Sequence, residues 1–141
     1  MKQPIICSAC LLGINCRYDG KLKVNDKVLR LAQNEILIPV CPEQLGGQPT
    51  PRPDAEIVDD KVLEKDGTDV TKEFAKGANE VLKIAKIFSI KQAILKQRSP
   101  SCGSGQIYDG TFSGKIIEGD GITTKLLKQN GLKVISEEEL E

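Results

Sequence analysis

Five cysteines are the most chemically distinctive residues of this chain, because it contains no histidine and no tryptophan. Without histidine, Ser-His-Asp and Cys-His catalysis and the usual histidine-containing zinc sites are excluded. Acid–base chemistry must then come from Asp, Glu, Lys, Tyr or Cys side chains. Thiolate ligands without histidine favour an iron–sulfur cluster.

Three of the cysteines are expected where predicted strands end. Four short apolar runs, bounded by polar, glycine or proline residues, predict β-strands at residues 4–10, 36–41, 90–95 and 132–136. Cys10 closes the first run, Cys41 closes the second, and Cys102 lies in the loop after the third. The carboxyl ends of parallel strands meet at one edge of a sheet, where ligands bind. The sequence therefore predicts these three cysteines as the ligands of one site.

The other two cysteines, Cys7 and Cys16, have different expected roles. Cys7 and Cys10 form a C-x-x-C, but a glycine-containing loop follows them instead of the helix on which a redox motif depends. In an extended strand their odd offset places them on opposite faces, so Cys7 is interpreted as a small buried apolar residue. Cys16 lies in the loop after Cys10 and is either a further ligand or a structural thiol beside the ligands. Structural zinc sites usually show paired C-x₂₋₄-C motifs, and this chain has one such pair.

The elements that would position these residues alternate along the chain. Polar caps and apolar periodicity predict three helices, at residues 26–33, 69–88 and 121–129. Asn25 and Asp69 are the candidate caps of the first two helices. The resulting β-α-β-α-β-α-β order predicts an α/β fold of three layers. In it, a mostly parallel sheet of about four strands carries helices on both faces, as in Rossmann-like or flavodoxin-like domains.

One segment does not fit a simple crossover. Residues 45–68 form an excursion whose glycine- and proline-rich part is expected to be irregular, followed by a hairpin around Asp59 and Asp60. Long excursions in compact domains are usually functional or disordered, and this one is expected to cover the site.

Length and charge narrow the class of protein. The 141 residues suit one domain spanning 1–141. The 20 basic and 20 acidic residues cancel, so a small substrate is favoured over a nucleic acid polymer or a membrane surface. No apolar stretch approaches the roughly 20 residues that a membrane helix needs. A cytoplasmic protein with reduced cysteines is expected, and its oligomeric state is left open.

Several motifs together resemble the bacterial thiouracil desulfidase family. The resemblance rests on Cys10-Leu-Leu-Gly13-x-x-Cys16-Arg17-Tyr18-Asp19-Gly20, Cys41-Pro42-Glu43-x-x-Gly46-Gly47, Pro51-Arg52 and Arg98-Ser99-Pro100-Ser101-Cys102-Gly103. It is extended by Gly110-Thr111-Phe112 and Gly119-Asp120-Gly121. These motifs span nearly the whole chain.

The resemblance implies a [4Fe–4S] cluster bound by Cys10, Cys41 and Cys102, with one iron that has no protein ligand. It further implies that the sulfur of a small thiolated pyrimidine binds this iron, that water attacks the carbon, and that hydrosulfide leaves without net oxidation or reduction. Glu43 is the best-placed carboxylate for proton transfer, and Ser101 is the candidate for a hydrogen bond to substrate or water.

Plainer interpretations of these residues stay open. An isolated loop glutamate is usually solvated, and a serine in a polar turn usually stabilises the turn. Four further residues, each a candidate for lining the pocket, are left out of the catalytic set: Arg17, Tyr18, Arg52 and Arg98. The alternative functions are a non-catalytic carrier of sulfide or cluster and a structural zinc domain. An enzyme needs an acid–base group near the open iron, whereas a carrier does not.

Overall fold

The computed structural model describes residues 2–140, which form eight strands and four α-helices. The strands are β1 (Ile5–Ser8), β2 (Leu37–Val40), β3 (Ala55–Val58), β4 (Lys61–Glu64), β5 (Gln92–Leu95), β6 (Gln106–Tyr108), β7 (Ile116–Glu118) and β8 (Lys133–Ser136). The helices are α1 (Asp26–Leu31), α2 (Pro42–Leu45), α3 (Thr71–Ile87) and α4 (Ile122–Gln129). No helix among the described residues is long and apolar enough to cross a membrane.

Four parallel strands form the central sheet, in the order β2-β1-β5-β8. Ile6 and Leu95 belong to a hydrophobic cluster that includes residues of α3 and α4. Cys7 and Ile94, the neighbouring residues on the same strands, belong with Val28 of α1 to a second cluster. Because successive strand residues point to opposite faces, the two clusters lie on opposite sides of the sheet. The predicted three-layer α/β fold is confirmed.

The first predicted strand is too long. It ends at Ser8, and a short 3-10 helix, Ala9–Leu12, follows it. Gly13 ends this helix with a φ of 86°, a conformation that glycine adopts at no steric cost, and its N–H donates to the Cys10 carbonyl at 3.1 Å. Cys10 therefore lies in a turn after the strand. The argument that placed Cys7 and Cys10 on opposite faces of one strand was wrong for this reason.

The helices begin and end near the predicted residues. The Asn25 side chain accepts a hydrogen bond from the Val28 N–H at 3.1 Å and caps α1 as predicted. Asp69 accepts one from the Thr71 N–H at 2.9 Å, although α3 itself begins only at Thr71. Helix α4 ends before Asn130, within one residue of the predicted boundaries.

Two hairpins and a short α-helix lie outside the four central strands and the three predicted helices. Strands β3 and β4 pair as an antiparallel hairpin around Asp59 and Asp60, where the sequence predicts one. Strands β6 and β7 form a second antiparallel hairpin that was not predicted. Helix α2, also unpredicted, is only four residues long, and Cys41 is its N-cap. Strands β6 and β7 and helix α2 are each too short to produce a clear periodic pattern.

Helix α2 is held against α3 by two glycines. A Cβ atom added to Gly77 of α3 would lie 1.8 Å from the Pro42 carbonyl oxygen, and one added to Gly46 would lie 2.0 Å from the Glu73 carbonyl oxygen. The two backbones are therefore in direct contact. This contact fixes the segment that carries Cys41 and Glu43.

Gly77→Ala is accordingly expected to destabilise the protein. In a helix interior, alanine is more stabilising than glycine by roughly 1 kcal/mol. The overlap of its Cβ atom with the α2 backbone should outweigh this gain and lower the free energy of unfolding by about 1–3 kcal/mol. Denaturant titration measures the difference. The adjacent exposed change Lys76→Ala is the control and should stay within about 0.5 kcal/mol of the parent. Equal stability of Gly77→Ala and the parent would contradict the close contact.

Candidate active site

A cavity of about 550 Å³ opens at the carboxyl ends of the central strands. Ser8 at the end of β1, Val40 at the end of β2 and Lys96 directly after β5 all line it. In the sheet, β2 lies on one side of β1 and β5 lies on the other. The cavity therefore lies at the point where the strand order reverses. Open α/β sheets bind ligands at this position.

Four of the five cysteines line this cavity: Cys10, Cys16, Cys41 and Cys102. They come from the 3-10 helix after β1, the loop that follows it, the N-cap of α2 and the loop after β5. Cys7 is not among the lining residues. Its side chain is completely buried, and burial raises the pKa of its thiol to about 12, as expected of an unreactive apolar residue.

The Cys16 thiol lies between two other cysteines. The Cys41 thiol donates a hydrogen bond to the Cys16 carbonyl oxygen at 3.7 Å, and only 2% of Cys16 is exposed. The hydrogen bond from Cys16 is the largest cause of the lowered pKa of Cys10, and the positive charges of Lys96 and Arg17 also lower it. These contacts raise the pKa of Cys16 itself. Cys16 therefore favours the thiolate form of its two neighbours.

Cys41 occupies a position that stabilises negative charge. The hydrogen bond from Cys16, the backbone N–H of Gln44 and the charge of Arg52 together lower the pKa of its thiol to about 7 against the opposing effect of burial. Pro42 has no N–H and starts α2 directly after the cysteine. The Cys41 thiolate is therefore accessible near neutral pH.

Cys102 is presented by a tightly bonded loop. The Ser99 hydroxyl accepts hydrogen bonds from the N–H groups of Ser101 and Cys102, both at 3.0 Å. A Cβ atom at Gly103 would lie 2.5 Å from the Gln106 carbonyl oxygen, so only glycine fits where the loop turns back. Burial raises the pKa of the Cys102 thiol, and a hydrogen bond with Ser8 partly opposes the rise.

The donor set suits a cluster. Cys10, Cys41 and Cys102 come from three separate elements and share one cavity without histidine, which is a soft ligand set appropriate to iron and sulfide. Among residues 2–140, no three or more Cys, Asp or Glu side chains are placed so that together they could hold a single metal ion. Thiolates that bind different irons of one cluster need not approach one another as closely as the ligands of one ion.

Glu43 lies beside the cysteines and is paired with Arg52. Its Oε1 accepts a hydrogen bond from Arg52 Nε at 3.0 Å. Burial raises the pKa of Glu43, and the charge of Arg52 opposes the rise without cancelling it. A carboxyl group that is largely removed from water and held by one cation can both accept and return a proton.

Arg52 makes more contacts around the cavity than its place among the candidate pocket residues predicts. Its Nη2 donates to the Cys16 carbonyl oxygen at 2.8 Å, and its Nη1 donates to the Pro49 carbonyl oxygen at 2.9 Å. With the bond to Glu43, the guanidinium joins three segments that line or border the cavity. The Pro51-Arg52 motif carries the signal, but a loop arginine is usually exposed, whereas only 9% of this residue is.

Lys96 is a residue that sequence reasoning missed. It follows β5 directly, lines the cavity, and its Nζ lies 3.1 Å from Glu137 Oε2. The available signal was its position after a buried strand, which is where the other site residues also lie. The residues predicted to line the pocket do so: Arg17, Tyr18, Arg52 and Arg98.

Ser101 is placed differently from the predicted substrate contact. It is completely buried, its hydroxyl lies 2.8 Å from the Thr123 hydroxyl, and it is not among the residues that line the cavity. The neighbouring Thr124 hydroxyl donates to the Cys102 carbonyl oxygen at 2.8 Å. These bonds tie the Cys102 loop to the first turn of α4.

Comparison with known proteins agrees with this geometry. Residues 5–139 match the family described as 2-thiouracil desulfurase. The protein YbbK of Bacillus subtilis (strain 168), described as uncharacterized, is 46% identical over 146 aligned positions, which cover 96% of this chain and 97% of YbbK. A solved structure described as the [4Fe-4S]-dependent thiouracil desulfidase TudS is 46% identical and superposes with a TM-score of 0.93, covering 99% of this chain and 93% of that one.

Proposed function

The chain belongs to the 2-thiouracil desulfurase family, and we propose that it is a [4Fe–4S]-dependent desulfidase that removes sulfur from a thiolated nucleobase such as 2-thiouracil. The products are the oxygenated base and hydrosulfide, and water is the other reactant. One observation carries the proposal: Cys10, Cys41 and Cys102 line a single cavity with the mostly buried carboxyl group of Glu43. A carrier of sulfide or cluster would not need this carboxyl group.

We assign the cluster ligands to Cys10, Cys41 and Cys102. When bound, the cluster supplies an iron without a protein ligand, which acts as a Lewis acid toward the substrate's sulfur. Cys16 is proposed to donate hydrogen bonds to the ligand sulfurs, which its place in the same cavity and the 3.7 Å contact between Cys41 Sγ and the Cys16 carbonyl oxygen support. Hydrogen bonds to cluster sulfurs help to set the properties of such clusters.

Glu43 is the proposed proton-transfer group. Its side chain faces a cavity in which water must lose a proton as it attacks the thiolated carbon, and a carboxylate near this water can take that proton. Arg52 orients the carboxyl group through the Nε to Oε1 bond while its other nitrogens remain bound to backbone carbonyls. Arg52 is therefore proposed as a positioning residue.

Ser101 is also proposed as a positioning residue, which holds the Cys102 loop. The bond between its hydroxyl and Thr123 supports a role in fixing the Cys102 loop against α4. Its burial and its absence from the cavity wall favour this role over the substrate contact that its position beside Cys102 predicts.

Anaerobic purification tests the proposed function. The protein is expected to be brown, to contain about four irons and matching sulfide per chain, and to convert 2-thiouracil to uracil and hydrosulfide without added reductant. Iron and sulfide assays, the visible spectrum and chromatography of the base measure these outcomes. Colourless protein with one bound zinc would contradict the cluster, and iron-loaded protein that releases no sulfide from thiolated bases would favour a carrier.

A further inference from the structure

The few aromatic residues of this chain are concentrated at the cavity. The chain has three phenylalanines and two tyrosines. Of these five, Tyr18, Tyr108 and Phe112 line the cavity, whereas Phe74 is buried in the core and Phe88 is exposed on the surface. Ligand sites are often lined by aromatic side chains, because flat rings offer large contact faces to other flat rings.

Phe112 differs from Tyr18 and Tyr108, which also belong to none of the hydrophobic clusters, in its backbone conformation. It is half-buried, and it belongs to none of the three hydrophobic clusters formed by the described residues. Its φ of 57° lies in the left-handed region, which is uncommon for a bulky residue. A residue held in this conformation needs support from its surroundings.

Glu56 provides that support. Its Oε1 accepts hydrogen bonds from the N–H groups of Gly110 and Phe112, at 3.0 and 3.2 Å. The Glu56 residue is only 4% exposed, and it lies on β3, so the loop that carries Phe112 is anchored to the first hairpin. Charge-assisted bonds from backbone N–H groups to a carboxylate are among the stronger hydrogen bonds in proteins.

Close packing fixes the same loop a second time. A Cβ atom at Gly110 would lie 2.7 Å from the Ile57 carbonyl oxygen, so the backbones of the loop and of β3 are in contact. Across the loop, the Asp109 N–H donates to the Lys115 carbonyl oxygen at 2.9 Å. Phe112 is therefore part of a rigid wall of the cavity.

We infer that Phe112 provides the face on which the flat ring of the substrate stacks, and that Glu56 positions it. This inference rests on the proposed function and names the residue of this chain that binds the face of the substrate's ring. Stacking of a nucleobase on an aromatic side chain changes binding by about 5- to 150-fold when the side chain is replaced by alanine. Because stacking acts equally before and during the reaction, it should affect KM and substrate binding more than kcat.

The test compares Phe112→Ala, Phe112→Tyr and Phe112→Leu in the iron-loaded protein. We expect Phe112→Ala to raise KM for 2-thiouracil and the Kd for uracil by about 5- to 150-fold, with kcat per cluster changed by less than about threefold and iron content unchanged. Equilibrium dialysis with uracil measures binding independently of turnover. Phe112→Tyr should restore both values because it keeps an aromatic face, whereas Phe112→Leu should resemble alanine. Unchanged KM and Kd in Phe112→Ala, or a leucine variant equal to the parent, would overturn the inference.

Glu56→Ala tests the positioning role. Like Phe112→Ala, it should raise KM. In the double variant it should add little further loss, because both changes remove the same stacking interaction. Full additivity of the two changes, or an unchanged KM in Glu56→Ala, would show that Glu56 does not act through Phe112. Failure of the proposed function itself is distinguishable, since the unmodified iron-loaded protein would then release no sulfide at all.

Discussion

Alanine at Cys10, Cys41 or Cys102 is expected to abolish cluster binding, lowering the iron content of anaerobically prepared protein from about four per chain to nearly none. Each of these residues comes from a different element, so each replacement removes one of three separate attachment points of the cluster. Iron and sulfide counts, with the visible spectrum, measure the loss. Desulfidase activity should disappear with the colour.

Cys7→Ala is the matched control for these variants. Cys7 is completely buried in the hydrophobic cluster beneath the site and does not line the cavity, so its replacement should leave iron content near that of the parent. Cluster loss in Cys7→Ala together with retention in Cys41→Ala would contradict the ligand assignment.

Cys16→Ala decides the remaining question about the ligands. Cys16 lines the same cavity, and its carbonyl oxygen lies 3.7 Å from Cys41 Sγ, so its replacement is expected to alter the spectrum of the cluster while the iron content is kept. Complete cluster loss in Cys16→Ala, with retention in one of the three assigned ligand variants, would show that Cys16 is a ligand in place of that residue.

The placement of these three cysteines around one cavity can largely be predicted from the sequence, because parallel strands bring their carboxyl ends to one edge whatever their distance along the chain. Cys41 directly follows β2, as the apolar run before it predicts. Cys10 is correctly assigned to the same edge although its backbone conformation was wrong. The apolar residues that continue beyond Ser8 resemble a strand, and periodicity alone cannot separate a short helix from a strand end.

Residues whose role depends on distant partners could not be found in this way. Arg52 is a loop residue in the sequence, and only the folded chain brings its guanidinium to Glu43 and to the Cys16 carbonyl. Ser101 shows the reverse case. Its position beside Cys102 favours a substrate contact, but the packing of α4 directs its hydroxyl to Thr123. Local patterns do not encode such tertiary contacts.

The hairpin that carries Phe112 was missed for a third reason. Strands β6 and β7 have three residues each, and β7 exposes all of its residues. Alternation of apolar and polar residues cannot be recognised over so short a length. The glycines of this region indicate turns, but the contact with β3 depends on the buried carboxylate of Glu56.

Glu43→Gln is expected to lower the rate of sulfide release from 2-thiouracil by about 10²–10⁴-fold, the usual contribution of a proton-transfer group. Glutamine keeps the size and a hydrogen-bonding oxygen but cannot accept the proton of the attacking water. The structure separates this effect from a folding defect. Arg52 loses one charged partner, but its bonds to the carbonyl oxygens of Cys16 and Pro49 remain, so the loops around the site should hold.

The Gln variant should therefore keep the colour and iron content of the parent while it loses activity, and neither protein should require added reductant, because hydrolysis consumes only water. Glu118→Gln, a change at an exposed residue of β7, is the matched control and should leave both the rate and the iron content unchanged. Single-turnover measurements of uracil and hydrosulfide, made with and without dithionite, give both results. Full activity in Glu43→Gln would show that Glu43 pairs with Arg52 but does not transfer a proton. Strict dependence on dithionite in the parent would replace the hydrolytic reaction with a reductive one, in which electrons, and not a proton acceptor at Glu43, drive the loss of sulfur.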